Sequence, residues 1–158
     1  MRERFASGLT DTIANTSIEV LNKNLSLVID LSLIVKQAHW TLRGAGFIGV
    51  HELLDTAAGN LRGILDTMAE RVVILGGTPD GTSQNVVKTT TLPEYPADLL
   101  AVKDHVRELT ERYKIVAASV RDAIDATEED ADTSDLLTAA SRTIDKDAWF
   151  IGSNAEGN

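Results

Sequence analysis

Apolar residues recur three or four positions apart along most of this chain, the spacing of one buried stripe on a helix. Ile18, Leu21, Leu25, Val28, Leu31 and Val35 mark the first stripe, which carries a helix to about Leu42. Thr16 and Glu19 have capping-box spacing, although the helix could begin a turn earlier, near Asp11 or Thr12. RGAGF (43–47) breaks the pattern, and a second helix is expected from about Phe47 to Leu75, stopped by Gly76-Gly77. Residues 78–95, rich in Thr, Gly and Pro, read as a long crossover with room for a short helix. A third helix opens at Pro96 or Asp98 and runs to about Ala126, with Leu99, Val102, Val106, Leu109, Tyr113, Val116 and Val120 inward. After the acidic turn TEEDAD (127–132), a fourth helix capped by Asp132 or Thr133 carries Leu136, Leu137, Ala140, Ile144 and Ala148.

Short link, long link, short link among four helices describes an all-α, four-helix bundle with one long crossover, the ferritin-like connection. Residues 1–158 form a single domain, with a flexible N-terminal segment over 1–12 and a polar tail over 152–158. The chain shows no internal repeat and no low-complexity segment.

Composition narrows the function. At 158 residues, 43% of them hydrophobic and 25% charged, the chain suits one soluble globular domain. No apolar run approaches a membrane span and the N-terminus lacks a signal-peptide core, so a cytoplasmic location is expected. The absence of cysteine removes disulfides, thiol catalysis and cysteine-ligated clusters. A formal net charge of −9 opposes broad adhesion to nucleic acid or anionic lipid. It serves solubility first and is compatible with attracting cations.

The candidate chemistry lies in KQAHW (36–40), HELLD (51–55) and DTMAE (66–70). Residues four apart share a helix face, so His51 with Asp55, and Asp66 with Glu70, each form a two-ligand pair. Imidazole and carboxylate without thiol suit iron, zinc or manganese. His39 and His51 flank the first turn, so an αα-hairpin brings them level with Asp55 inside one chain. Asp66 lies eleven residues beyond Asp55, about 16 Å along a helix. A two-fold axis removes that obstacle, because antiparallel packing of two second helices sets His51 and Asp55 of one chain against Asp66 and Glu70 of the other. The crossing falls near residues 60–61, lined by Ala57, Ala58, Gly59 and Gly63. The competing reading makes the histidines ordinary hydrogen-bonding residues, as His105 is expected to be, and the carboxylates helix salt-bridge partners. From spacing alone both readings stay open.

The stretches LSLIVKQAHWTLRGAGFIGVHELLD (31–55), LDTMAERVVILGG (65–77) and LLTAASRTIDKDAWF (136–150) resemble the Dps family, the small ferritins of starved or oxidatively stressed bacteria. The resemblance covers nearly all of the chain beyond its first dozen residues. It implies a hollow dodecamer with a di-iron ferroxidase centre at each dimer two-fold. His39, His51 and Asp55 match the ligands from one subunit, and Asp66 and Glu70 match those from its partner. Trp40 matches a tryptophan beside the site, serving either electron donation and radical trapping or interface packing. The implied activity is oxidation of Fe²⁺, by hydrogen peroxide in preference to dioxygen, with storage of ferric mineral. Zinc or manganese would be competing ions. The Glu-x-x-His pairs of larger ferritins are missing from this chain.

Two departures qualify the resemblance. The N-terminus offers only Arg2 and Arg4 before Lys23, and GSNAEGN closes the chain without a basic residue, so DNA binding is expected to be weak or absent. TAAGN (56–60) stands where relatives often carry mineral-nucleating acids, leaving Glu52 as the nucleation candidate. The resemblance also places pores lined by acids between the last two helices, where Glu128, Glu129, Asp130, Asp132 and Asp135 fall. Asp135 is the foremost candidate there, with Asp132 and Glu129 behind it. A DNA-coating structural protein with weak iron storage is the alternative function.

Overall fold

The computed structural model describes residues 3–155. Its elements are α1 (Asp11–Thr41), α2 (Phe47–Ile74), a short α3 (Ser83–Thr89), α4 (Val102–Ala126) and α5 (Ala131–Gly152). α1 packs on α2 and α4, and α5 packs on α4 and α2, so the four long helices form a closed bundle; α3 leans on α1. This is the expected four-helix arrangement, with α3 as the short helix inside the crossover. Leu21, Val28, Leu31 and Val35 meet Leu54, Leu61, Met68 and Val72 in the core. Val106, Leu109, Tyr113, Val116 and Val120 of α4 and Leu137 and Ile144 of α5 complete it. Among the described residues no helix is long and apolar enough to cross a membrane.

Two helix starts depart from the sequence reading, and a third takes the earlier of two expected positions. α1 starts at the earlier of the two expected positions: Thr10, not Thr16, is the cap, its Oγ1 accepting from the Ile13 amide at 3.3 Å. Ala14 already faces inward, so the buried stripe extends upstream of Thr16. α4 starts at Val102 rather than at Pro96 or Asp98. The preceding backbone is taken by the α1–α2 turn, where the Arg43 amide donates to the Leu100 carbonyl and the Val102 amide donates to the Arg43 carbonyl. α5 is capped by Asp130, not by Asp132 or Thr133, because a buried network claims the Asp130 carboxylate. It accepts from Ser17 Oγ at 2.8 Å, Thr133 Oγ1 at 2.6 Å, the Thr133 amide at 3.3 Å and Arg71 Nη2 at 2.8 Å. Burial alone would raise its pKa; the hydroxyls of Thr133 and Ser17, the Thr133 amide and the Arg71 guanidinium outweigh it and hold the pKa below the ordinary value.

The glycines that end α2 are required by geometry. Gly76 has φ +87°, and a Cβ on Gly77 would stand 2.9 Å from Ile18 Cγ2. Upstream, the Phe5 and Ala6 amides both donate to the Ile74 carbonyl, so this part of the 1–12 segment lies along the end of α2, and Asp11 and Thr12 belong to α1. Met1 and Arg2 of that segment lie outside the described residues, as do residues 156–158 of the polar tail; Gly152 of the tail belongs to α5.

His105 is the hydrogen-bonded histidine expected. It is buried on α4, with Nε2 3.0 Å from the Leu99 carbonyl and Nδ1 2.6 Å from the Tyr95 hydroxyl. A carbonyl only accepts, so Nε2 carries the proton and Nδ1 accepts from Tyr95. Burial lowers the His105 pKa against the opposing pull of the Leu99 carbonyl and Asp104. An imidazole with a depressed folded pKa supports the fold above its unfolded pKa of 6.5, and that support is lost as pH falls through the folded value. The denaturant midpoint of the protein should therefore fall as pH drops below about 6.5. His105→Gln supplies the same donor and acceptor without titrating, and should flatten that slope; an unchanged slope would assign the acid sensitivity to other groups.

Candidate metal centre

The two histidines meet because the α1–α2 hairpin is tight. His39 sits in the last turn of α1 and His51 in the second turn of α2. Gly46, at φ +76°, supplies the left-handed residue that starts α2. The two rings stack with centroids 3.7 Å apart at 17°, and Phe47 lies against His51 at 5.2 Å. Each histidine is fixed by the backbone of the other. His39 Nδ1 lies 2.8 Å from the His51 carbonyl, and His51 Nδ1 lies 2.9 Å from the His39 carbonyl. Both Nδ1 atoms must therefore carry protons, which leaves both Nε2 lone pairs open for a metal. A hydrogen bond from the opposite nitrogen is the usual way in which a ligating imidazole is oriented and made more basic.

Asp55 lies one turn beyond His51, exposed, with Oδ1 accepting from Lys36 Nζ at 2.7 Å. The Lys36 hydrogen bond and charge lower the Asp55 pKa most; slight desolvation opposes them, and His39 and His51 add to the lowering. Asp55 is thus a neighbour of the histidine pair whose carboxylate is held by Lys36. Among the described residues no three His, Asp or Glu side chains of one chain converge to hold a metal. Asp66 and Glu70 are exposed further along α2, Asp66 at the edge of a groove between α1 and α2 that is also lined by Ser32, Leu33 and Gly63. Trp40 is exposed beside His39, and Glu52 is exposed beside His51.

Between the two ligand pairs, Gly59 and Gly63 are exposed, and a Cβ built on either meets nothing within 4 Å. Nothing in the subunit itself calls for glycine there. Ala57 and Ala58, which the sequence reading also placed at the crossing, are instead buried in the subunit's own core. Their positions rotate them inward toward Leu54 and Leu61, leaving the glycines as the small residues of the open face.

Of the acids between the last two helices, Glu129, Asp132 and Asp135 are exposed, whereas Asp130 is buried in the network that caps α5. Two polar pairs escaped the sequence reading. Lys36 precedes His39 by three residues, a spacing that could have flagged it. Asn60 Nδ2 donates to both oxygens of the buried Asp147, at 3.0 and 3.2 Å, across 87 residues of chain. Burial pushes the Asp147 pKa up, and Asn60 offsets part of that rise. No local pattern announces a pair of that kind.

Residues 18–156 match the Ferritin-like domain family. A "DNA protection during starvation protein" of Agrobacterium fabrum is 49% identical over 150 residues, covering 94% of this chain and 93% of the relative. A protein of the same name from Mycolicibacterium smegmatis is 35% identical over 150 residues, covering 94% of this chain and 82% of the relative. Among solved structures, Mycobacterium smegmatis Dps in a tetragonal form superposes with a TM-score of 0.94 at 34% identity, covering 99% of this chain and 96% of that one.

Proposed function

The chain belongs to the ferritin-like Dps family, and from that premise we propose that it is a mini-ferritin ferroxidase, oxidising Fe²⁺ at sites shared between subunits and storing the ferric product. The observation that carries this reading is the reciprocal lock of His39 and His51, which engages both Nδ1 atoms and leaves both Nε2 atoms available as donors. Asp55 lies one turn away, and Asp66 and Glu70 of a two-fold-related subunit supply the remaining oxygen ligands. Those hard donors stabilise the ferric product more than the ferrous substrate, which favours the oxidation. Two Fe²⁺ ions each give one electron to hydrogen peroxide, which with two protons becomes two waters, so no hydroxyl radical is released. Dioxygen is the slower alternative oxidant. Trp40, exposed next to His39, stands where it can supply an electron or pack against the partner.

The same reading includes a hollow dodecamer in the cytoplasm, with Glu52 nucleating mineral and Asp135, Asp132 and Glu129 lining pores for Fe²⁺. Zinc and manganese share the ligand preference and should compete with iron. Anaerobic titration with Fe²⁺ followed by a stoichiometric peroxide pulse tests the proposal. Saturation near two ions per subunit and full conversion to ferric iron are expected; iron that stays ferrous would sink it. DNA coating is the rival, and the relatives are named for DNA protection during starvation. A net charge of −9 argues for a complex that dissolves at moderate salt, and a gel shift surviving there would reverse the ranking.

Asp135→Asn should slow iron uptake at low Fe²⁺ more than at saturation, because it weakens attraction and leaves the oxidising ligands intact. The loss should shrink as salt rises. A deficit equal at every iron concentration and salt would place Asp135 in helix structure and not in a pore.

A further inference from the structure

The two tyrosines of this chain sit in opposite situations. Tyr113 is fully buried, and its hydroxyl meets no hydrogen-bond partner among the described residues. Tyr95 is half-buried in the crossover, and its hydroxyl donates to His105 Nδ1 at 2.6 Å. The imidazole is held in the accepting tautomer, because Nε2 gives its proton to the Leu99 carbonyl at 3.0 Å. Nε2 also lies 3.4 Å from Thr41 Oγ1, and Thr41 follows Trp40 and stands two residues past His39. The pair therefore lies behind the end of α1 that carries the candidate centre. Burial pushes the Tyr95 phenol up; the Arg112 guanidinium, 5.0 Å from the ring centre, pulls the other way, and Glu108 adds to the rise. Tyr95 thus enters any reaction as a phenol. Burial keeps His105 neutral near pH 7, so a base waits within proton-transfer distance.

We propose that Tyr95 and His105 form a proton-coupled redox site, in which Tyr95 gives one electron to a hydroxyl radical while its phenolic proton passes to His105 Nδ1. The inference rests on the iron and peroxide chemistry proposed above, which supplies the oxidant whenever one Fe²⁺ meets peroxide without a second. That encounter yields ferric iron, hydroxide and a hydroxyl radical. The radical takes the Tyr95 electron and becomes hydroxide; the Tyr95 O–H bond breaks, and a new N–H bond makes His105 an imidazolium. Loss of an electron turns a phenol into a strong acid, so the proton crosses the short bond and no tyrosine cation is held beside Arg112. The Asp104 charge favours the imidazolium that results. A later Fe²⁺ returns the electron, His105 returns the proton, and a second ferric ion joins the product. Tyr113 has no hydrogen-bonded base to receive its proton and cannot follow this course.

Tyr113→Phe removes an unpartnered hydroxyl from the core and leaves Tyr95 as the only tyrosine, which fixes the source of any signal. Assembled Tyr113→Phe protein, loaded with Fe²⁺ and mixed with excess hydrogen peroxide, should show a tyrosyl radical by freeze-quench electron paramagnetic resonance. Its hyperfine pattern should collapse when ring-deuterated tyrosine is incorporated. In iron-free protein, azide radicals made by pulse radiolysis should give the same radical, formed more slowly in heavy water than in water. His105→Gln, made in the Tyr113→Phe protein, keeps a hydrogen bond to Tyr95 but offers no base, so the radical yield should fall severalfold with either oxidant. A purely structural pair would leave that yield unchanged. Ferric iron formed with no tyrosyl signal, equal rates in heavy and ordinary water, or a yield untouched by His105→Gln would overturn this inference alone. Iron that stays ferrous would sink the function proposed above, whereas a tyrosyl signal from azide radicals would still uphold the pair, and its absence would overturn it.

Discussion

His51→Ala and Asp66→Ala shells should each lose iron oxidation by on the order of 100-fold or more while remaining assembled. His51→Ala removes one of the two oriented Nε2 donors and also frees the His39 carbonyl from its imidazole partner. His39 keeps its own anchor, because that bond goes to the backbone of residue 51. The structural cost should stay near ~1 kcal/mol, the net worth of one hydrogen bond. Asp66 is exposed and outside the core, so its loss subtracts a metal ligand and little else. Stopped-flow absorbance of the ferric product, with assembly checked by size exclusion, provides the measurement. Native rates in either variant would place the chemistry elsewhere.

Mixing the two inactive subunits should restore activity. In a two-fold dimer of one His51→Ala and one Asp66→Ala chain, one site loses both ligands and the other keeps all five. Random co-assembly at equal ratio makes half of the dimers mixed, and each mixed dimer holds one intact site, so about a quarter of native activity is expected, far above either parent. Site centres near residues 53 and 68 of antiparallel helices lie roughly 22 Å apart at ~1.5 Å per residue, so one intact site should work without its neighbour. Verified mixed shells that stay inactive would contradict a site shared between chains.

What the sequence disclosed follows from which interactions are local. The stripe from Ile18 to Val35, the break at RGAGF and the stop at Gly76-Gly77 depend on neighbours a few residues away, and they were legible. So was the pairing of His39 with His51, because a five-residue turn leaves the hairpin few alternatives. The spacing of Thr16 and Glu19 was a true pattern with the wrong meaning, since Thr10 caps the helix a turn and more upstream and Ala14 already faces inward. The start of α4 could not be read, because Arg43 captures the backbone before Val102 from a distant turn. The cap of α5 was hidden for the same reason: Asp130 is chosen by Ser17 and Arg71, which belong to other helices. At the candidate site, helical spacing displayed the acids, yet the hold of Lys36 on Asp55 and of Asn60 on Asp147 required the bundle to be closed.

The reciprocal bonds of His39 and His51 are made within one hairpin, only twelve residues apart, so they form with the subunit and not with the shell. A newly made chain therefore carries its nitrogen donors in finished form but lacks the carboxylates of a second copy. On the proposed shared-site reading, association, not folding, would then be the step that arms the centre. Iron meeting a lone subunit would find a weak perch and no means of delivering paired electrons to peroxide. Reactivity would begin only when two chains have joined, on the way to a container that can hold the insoluble product.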